Sequence, residues 1–220
     1  VNSLTKSIGG HGDALGGAVT DTGLFDWSAY PNIFAPYRKG DAKGWGLQQL
    51  RKKGLRDMGG TLSSHAAHQL ALGAETLALR MDRTSATALA LAQWLEQHPA
   101  VAKVCYPGLG TVRNSALART QMRGPGALLA FEMHGGHAAA AAVMAAVKLL
   151  TPAVSLGSVD TLIQHPAGLT HRVLDDATRA ATGITPGLLR LSAGIEHVDD
   201  LWSDLAQALA RAATAPAKAA

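Results

Sequence analysis

The chain has 220 residues, enough for one large domain or two small ones. No apolar run reaches the length of a membrane span, so the sequence is typical of a soluble globular protein with no membrane partner. A formal net charge of +4 invites a nucleic-acid role, but the one tight basic cluster, residues 51–53 with Arg56, has no interleaved aromatic side chains. It is better explained as a solvated helix face, and nucleic acid is not an expected partner.

The single cysteine, Cys105, rules out an internal disulfide bond. It lies in an apolar run, so we expect a buried structural thiol. Nothing in the composition suggests a secreted, disulfide-built protein, and we expect a cytoplasmic one. The first residue is Val rather than Met, and the chemical motif begins two residues later. We therefore expect the chain to be the C-terminal part of a longer polypeptide.

The first third of the chain predicts short strands around a glycine-rich loop, followed by helices. The strands are expected at 1–2 and 18–20, before a long aromatic segment at 21–45. Helical patterns then run over 46–58, from a cap at Ser63 or Ser64, and over 77–97, where His98 and Pro99 end the last helix.

Beyond residue 100, apolar runs alternate with helical patterns. Strands are predicted at 101–105, 127–132, 153–156, 161–165 and 188–192, and helices at 116–122, 137–149, 175–181 and 198–212. A sheet covered by helices is an α/β arrangement. The remaining tail, residues 213–220, is rich in Ala, Pro and Lys, and we expect it to be frayed.

The most informative motif lies at the start of the chain, where Ser3, Thr5 and Lys6 precede several glycines. Hydroxyls beside a lysine suit an anionic group such as phosphate, and glycines let the backbone approach a ligand closely. Three interpretations are open. The Ser-x-x-Lys spacing formally fits a serine-nucleophile enzyme, although the glycines oppose a helix there and the companion motifs are missing. The lysine could also be incidental, or it could carry pyridoxal phosphate (PLP) as a Schiff base.

The same stretch resembles the cofactor-lysine motif of the Cys/Met-metabolism PLP-dependent enzymes, a family that includes cystathionine γ-synthase, methionine γ-lyase and O-acylhomoserine sulfhydrylase. Three downstream pieces resemble the family in the same order, at 154–157, 160–171 and 189–201. The likeness implies the C-terminal part of a fold-type-I PLP-dependent transferase. Residues 1–75 would end the large cofactor domain, 76–212 would form a small C-terminal α/β domain, and 213–220 would be a flexible tail.

The resemblance also implies roles for individual residues. Lys6 would hold PLP and act as the catalytic base, and Ser3 and Thr5 would bind the phosphate. Ser155 would lie beside the lysine and the substrate carboxylate, with Thr170 near the substrate.

Arg190 would hold the substrate α-carboxylate. Its own surroundings in the sequence support this, because an arginine in an apolar strand is costly unless a carboxylate pairs with it, and its planar fork binds carboxylates bidentately. An ion pair with an acid of the protein is the alternative.

The four remaining candidate residues have plainer explanations. His11 and Asp13 are expected to shape the loop after Lys6, while His165 and His171 are expected to be satisfied polar groups. No His/Cys spacing fits a metal site.

The implied activity is γ-elimination or γ-replacement on sulfur amino acids or O-acylhomoserine, in a homotetramer with active sites at subunit interfaces. A non-catalytic fragment or pseudoenzyme, and an aminotransferase-like enzyme of the same fold type, are the alternatives. Several parts of the family's cofactor site would lie upstream of Val1. We therefore expect residues 1–220 alone to bind PLP weakly and to lack turnover.

Overall fold

The computed structural model describes residues 1–214. The expected frayed tail lies outside this part of the chain except for its first two residues, which continue the last helix. The strands are β1 (Asn2–Ser3), β2 (Gly17–Ala18), β3 (Val101–Cys105), β4 (Leu128–Met133), β5 (Thr151–Pro152), β6 (Leu162–Gln164) and β7 (Leu188–Ser192). The helices are α1 (Trp45–Gln49), α2 (Ser64–Glu75), α3 (Leu77–Glu96), α4 (Ser115–Gln121), α5 (Gly136–Ala146), α6 (Asp176–Ala181) and α7 (Val198–Thr214).

The N-terminal region is built around a small antiparallel pair, β1 with β2, in which Asn2 lies opposite Ala18. Three single helical turns and α1 follow, and α1 continues in the wider π-helical geometry over Leu50–Asp57. The helical pattern predicted over 46–58 is thus confirmed, with two geometries in sequence. Its basic residues 51–53 are exposed to solvent, as expected for a solvated face.

Helices α2 and α3 follow each other with a single residue between them. The Ser63 hydroxyl caps α2 by accepting a hydrogen bond of 3.2 Å from the amide of Ala66, which satisfies one free donor of the first turn. Helix α3 presents Leu91 and Leu95 to the core with no exposed surface. Its predicted end is confirmed, because the helix stops just before His98 and Pro99.

The second half forms one five-stranded mixed sheet in the order β3-β4-β7-β6-β5. Strands β3, β4, β7 and β6 pair antiparallel, and β5 is parallel to β6. One face of the sheet packs against α3 and α5, which in turn contact α7, and on this face the side chains of Phe131, Ile163, Leu189 and Leu191 are fully buried. The mixed α/β fold predicted from the apolar runs is confirmed.

The other face of the sheet carries the polar groups, because side chains alternate between faces along each strand. Arg190 in β7 lies opposite Ala130 of β4 on one side and opposite Gln164 of β6 on the other. Ser192 shares this face two residues further along β7. The helix-free face of the sheet is therefore the one that can host a site.

Two sequence expectations are wrong. Residues 153–156 form no strand; the short β5 lies just before them, at Thr151–Pro152. The carbonyls of Val154 and Ser155 instead accept hydrogen bonds from the side chain of Arg190. Cys105 is exposed rather than buried, because β3 is an edge strand whose alternate side chains face away from the helices.

The described residues also bear on two other classes of structure. None of the helices between residues 1 and 214 is both long and apolar enough to cross a membrane. Within the same range, no group of three or more His, Cys, Asp or Glu side chains is arranged to hold a metal ion.

Candidate functional site

Lys6 lies in a tight turn, Leu4–Ile8, between the two short N-terminal strands. The amide of Gly9 donates to the Leu4 carbonyl at 2.8 Å, and the amide of Gly10 donates to the Lys6 carbonyl at 2.8 Å. Lys6 itself has ψ of −134°, outside the helical range, so the turn bends at this residue. The lysine is thus set on a bend that is held on both sides by backbone hydrogen bonds.

The two hydroxyls expected to bind phosphate differ in their surroundings. The Thr5 hydroxyl accepts a hydrogen bond of 2.9 Å from the amide of Gly16 and donates to the Gly16 carbonyl at 3.3 Å. Ser3 is exposed in β1, and its hydroxyl has no hydrogen bond to any residue that the structure describes. Thr5 therefore closes the loop, and the Ser3 hydroxyl is open to a ligand.

The loop after the lysine is shaped by its own polar side chains. A ring nitrogen of His11, Nδ1, lies 2.7 Å from the Gly9 carbonyl. The carboxylate of Asp13 accepts a hydrogen bond of 3.2 Å from the side-chain amide of Gln69 in α2. Both contacts agree with the loop-shaping roles expected from the sequence.

Lys6, Ser155 and Arg190 are joined in one chain of contacts. The lysine Nζ donates to the Ser155 Oγ at 3.1 Å. The carbonyl of Ser155 accepts from the Arg190 Nη2 at 2.7 Å, and the same nitrogen donates to the carbonyl of Val154 at 3.2 Å. Three residues named from the sequence therefore meet on the helix-free face of the sheet.

Arg190 uses only one of its side-chain nitrogens, Nη2, in hydrogen bonds with the described residues. Its Nε and Nη1 make no hydrogen bond with residues 1–214, and no acid of that range lies within ion-pair distance of it. Burial lowers the pKa of its guanidinium below the usual range for arginine, because desolvation disfavours the charged form. A partly buried cation with free donors is suited to bind an anion, and the alternative of an ion pair with an acid is not observed within this range.

A glycine brings the strand-connecting segment directly against the lysine turn. Gly157 has φ of +79°, and a Cβ placed there would lie 2.6 Å from the Ser7 amide nitrogen. Its own amide donates to the Ser192 Oγ at 2.9 Å, and the amide of Val159 donates to the Gly10 carbonyl at 2.9 Å. The segment after β5 thus bridges the sheet and the lysine turn.

Thr170 is not brought into this cluster. It is exposed, and its hydroxyl lies 2.8 Å from Nδ1 of its neighbour His171 rather than near Lys6 or Arg190.

His165 is buried, with its Nε2 2.7 Å from the Pro186 carbonyl and its ring centroid 4.7 Å from that of His137. Burial, and then the neighbouring His137, lower the pKa of His165 below 6.5, although the Pro186 carbonyl opposes this. His165 and His171 each have a hydrogen-bond partner, as expected from the sequence.

Sequence reasoning missed two residues next to the cluster. Gln164 is buried opposite Arg190, and its amide oxygen has no hydrogen-bond partner among the described residues. Arg80 in α3 is buried and donates to the carbonyls of Ser7 and Ile8, the two residues after the lysine. Arg80 could have been found by the argument used for Arg190, since it too is an arginine within an apolar run, residues 77–81.

Comparison with known proteins gives the same assignment as the motifs. Residues 1–210 match the family described as Cys/Met metabolism PLP-dependent enzyme. The chain is 42% identical to L-methionine gamma-lyase of Pseudomonas deceptionensis and 37% identical to O-acetyl-L-homoserine sulfhydrylase of Leptospira meyeri, covering 95% of this chain in both cases and 47% and 52% of those proteins. It therefore spans about half the length of the curated relatives it matches.

Solved structures agree. The fold superposes on a cystathionine gamma synthase of Xanthomonas oryzae pv. oryzae, crystallised with aminoacrylate and cysteine, with a TM-score of 0.80 and 37% identity. That match covers 96% of this chain and 49% of the solved one. A cystathionine gamma lyase of Micromonospora echinospora gives a TM-score of 0.79 at the same identity. The resemblance drawn from the motifs is confirmed, and the chain belongs to the Cys/Met metabolism PLP-dependent enzyme family.

Proposed function

We propose that the polypeptide containing residues 1–220 catalyses PLP-dependent γ-elimination or γ-replacement on sulfur amino acids or O-acylhomoserine. The printed names of its relatives, a methionine gamma-lyase and an O-acetylhomoserine sulfhydrylase, span both reaction types. The observation that carries the proposal is the contact chain from the Lys6 amine through Ser155 to Arg190. It places a primary amine and a cation suited to a carboxylate on either side of one residue, Ser155.

The residues present fit PLP. The Lys6 amine is free of any ion pair with residues 1–214 and is held only by a hydroxyl, so its lone pair can be made available to a carbonyl. Ser3 offers an open hydroxyl next to it, and Thr5 can turn its proton from the weak 3.3 Å bond with Gly16 toward a phosphate oxygen. Bound PLP supplies an electron sink that makes the substrate Cα–H bond acidic.

Lys6 is the residue that we propose to move protons. Its amine would accept the proton from the substrate Cα and transfer a proton at Cβ, the two positions that must ionise before a γ-substituent can leave. The Ser155 hydroxyl would hold the amine between these transfers, because it can both accept from and donate to nitrogen. The bend at Lys6 limits how far the amine can stray, and positioning of this kind contributes much of the rate in such reactions.

Arg190 is proposed to bind the substrate α-carboxylate through its free Nε and Nη1. Its Nη2 is anchored on two carbonyls, so the guanidinium plane is fixed before the substrate arrives. A fixed fork loses little conformational entropy when it pairs with a carboxylate. Thr170 stays a weaker candidate near the substrate, since its hydroxyl is engaged with His171.

Three further assignments belong to the same proposal. The substrate is a small amino acid, and the assembly is a homotetramer with active sites between subunits. The division into a cofactor domain ending near residue 75 and a small domain over 76–212 also stays a proposal; the contacts of Arg80 and Val159 with the lysine turn would then run across it. A cytoplasmic location is supported by the exposed free thiol of Cys105, which suits a reducing compartment.

The test uses the whole polypeptide that contains this chain, purified with PLP, and its Lys6→Ala variant. O-acetylhomoserine with sulfide, cystathionine and methionine are supplied in turn, and the release of 2-oxo acid or of the sulfur-containing product is measured. We expect turnover of at least one substrate together with a PLP absorption band shifted by attachment to Lys6, and loss of both in Lys6→Ala. A shifted band without turnover would indicate a pseudoenzyme, and transfer of the amino group to PLP would indicate an aminotransferase.

A further inference from the structure

Arg80 is a buried cation without a counter-ion in the described part of the chain. Only 8% of the residue is exposed, and no acid between residues 1 and 214 lies within ion-pair distance. Burial lowers the pKa of its guanidinium below the usual range for arginine, because desolvation disfavours the charge. Burying an arginine in this way is costly, so its surroundings must compensate for the lost water.

The compensation comes from backbone carbonyls and one hydroxyl. Arg80 Nη1 donates to the Ser7 carbonyl at 2.6 Å, and Nη2 donates to those of Ile8 at 3.1 Å and Gly73 at 2.5 Å. Its Nε donates to the Thr76 hydroxyl at 3.0 Å. Gly73 lies in the last turn of α2, where the helix dipole carries partial negative charge and favours a cation.

These contacts hold the main chain of the lysine turn from one side. Ser7 and Ile8 directly follow Lys6, so two nitrogens of the guanidinium, Nη1 and Nη2, hold the carbonyls of the two residues after the lysine. Gly10 closes over the same group: a Cβ there would lie 2.0 Å from Arg80 Nη1. A lysine or an apolar residue could not span three carbonyls from two chain segments, since only arginine offers a planar fork of five donors.

Gly157 holds the turn from the other side. A Cβ at Gly157 would lie 3.1 Å from the Lys6 carbonyl carbon and 2.6 Å from the Ser7 nitrogen, so Gly157 lies against the peptide between Lys6 and Ser7. Arg80 holds the next peptide along the chain, at the Ser7 carbonyl oxygen. With the main chain gripped from both sides, the direction in which the Lys6 side chain leaves is set. It leaves toward Ser155, to which its amine donates.

We propose that Arg80 is a positioning residue: by holding the Ser7 and Ile8 carbonyls it aims the Lys6 amine at Ser155. The catalytic consequence rests on the proposed function, whereas the effect on the Lys6 amine does not. Its bonds go to the lysine turn and to α2 rather than to Arg190, so we expect it to govern the steps that use the lysine and to leave substrate binding alone.

Three variants of the whole polypeptide test this: Arg80→Met, Arg80→Lys and the control Arg83→Met. Arg83 lies one turn further along α3 and is exposed; within residues 1–214 it makes a single hydrogen bond, to the Glu196 carbonyl at 2.9 Å. The first measurement needs no cofactor. Amines of the PLP-free protein are labelled briefly with acetic anhydride, and mass spectrometry gives the labelling of Lys6 relative to the exposed Lys53.

We expect this ratio to rise about threefold or more in Arg80→Met, because the amine loses its fixed contact with Ser155 and samples open conformations. The second measurement, with PLP bound, is expected to give a kcat at least about tenfold lower. KM should stay within about twofold, because Arg190 still binds the carboxylate. Arg80→Lys should show the same changes to a smaller degree, and Arg83→Met should show none.

A ratio unchanged in folded Arg80→Met, with only a lower melting temperature, would mean that Arg80 merely stabilises the fold, and the proposal would be wrong. The same holds if KM rises and kcat does not fall. If Arg80→Met fails to fold, Arg80→Lys decides by the same two measurements. A parent protein that never binds PLP would refute the proposed function, and the labelling ratio would still decide on Arg80.

Discussion

The amine of Lys6 donates a hydrogen bond of 3.1 Å to the hydroxyl of Ser155, a residue 149 positions further along the chain. Both oxygens of Ser155 accept hydrogen bonds, but from different residues: the hydroxyl accepts from the lysine, and the carbonyl accepts from Arg190 at 2.7 Å. One serine therefore sets the spacing between an amine and a guanidinium.

Arg190→Ala is expected to raise KM for the amino-acid substrate by roughly 10²-fold, the usual cost of removing one partner of a partly buried charge pair. Because the arginine would hold the carboxylate equally in the ground and transition states, kcat should change little. Steady-state kinetics of the whole polypeptide measure both. Arg123→Ala is the control, since Arg123 is exposed and, among the described residues, forms an ion pair only with Asp82, at 3.5 Å. An unchanged KM in Arg190→Ala would contradict the role in carboxylate binding.

Gly157→Ala is expected to lower turnover by on the order of 10²-fold, because the new Cβ would push the Ser7 amide and displace the lysine. Gly183→Ala is a matched control: Gly183 has φ of +77°, close to the +79° of Gly157, but nothing lies within 4 Å of its added Cβ. Both variants carry backbone strain of about 1 kcal/mol from the positive φ. Urea unfolding measures that strain, and steady-state kinetics measure the effect of displacing Lys6. Equal turnover in Gly157→Ala and Gly183→Ala would disprove the role of Gly157 in placing the lysine.

Asp204→Asn is expected to destabilise the fold by about 2 kcal/mol at neutral pH. The buried carboxylate of Asp204 in α7 accepts hydrogen bonds from the amides of Lys148, Leu149 and Leu150 at 2.7 to 3.0 Å, which ties α7 to the turn after α5. Burial alone would raise the pKa of Asp204, but these amides outweigh it and the pKa lies below 3.8.

The sign of the pH dependence follows from that direction. A depressed carboxyl pKa contributes stability that is present above the unfolded value of about 3.9 and is lost as the pH falls through the folded value. Urea unfolding should therefore show the gap between wild type and Asp204→Asn narrowing below about pH 4. Asp200→Asn, at the exposed start of α7, should show no comparable gap at neutral pH. A gap of constant size across this range would rule out the carboxylate as its source.

His165→Gln is expected to flatten the dependence of stability on pH between about 7.5 and 5.5. The pKa of His165 is lowered in the fold, first by burial, so below about 6.5 the unfolded chain takes up a proton that the native state refuses. Wild type should therefore lose stability as the pH falls through this window. Above it, His165 stays neutral in both states and adds no pH dependence to the stability. The exposed His134→Gln serves as control. Parallel curves for wild type and His165→Gln would contradict the buried, neutral histidine.

Regular elements with strong local patterns were predictable from the sequence. The strands at 101–105 and 188–192 were placed without error, and α3 within one residue, because each combines a clear period with a terminating turn or proline. No strand forms at 153–156, where the carbonyls of Val154 and Ser155 bond the side chain of Arg190; local patterns do not reveal such a contact with a distant strand. Cys105 failed because an apolar run does not reveal which strand of a sheet is the edge.

By itself, the amino-acid sequence determined the family and singled out Lys6 and Arg190 as candidate site residues, because those depend on residue types in a fixed order that one chain displays openly. Only the tertiary structure decided that Arg80 and Gly157 grip the turn that carries Lys6, and that Gln164 is buried beside Arg190 without a partner. Such contacts join residues far apart in the chain, and the local periodicity of the sequence does not predict them. They exist only once the sheet has put its polar face against the lysine turn.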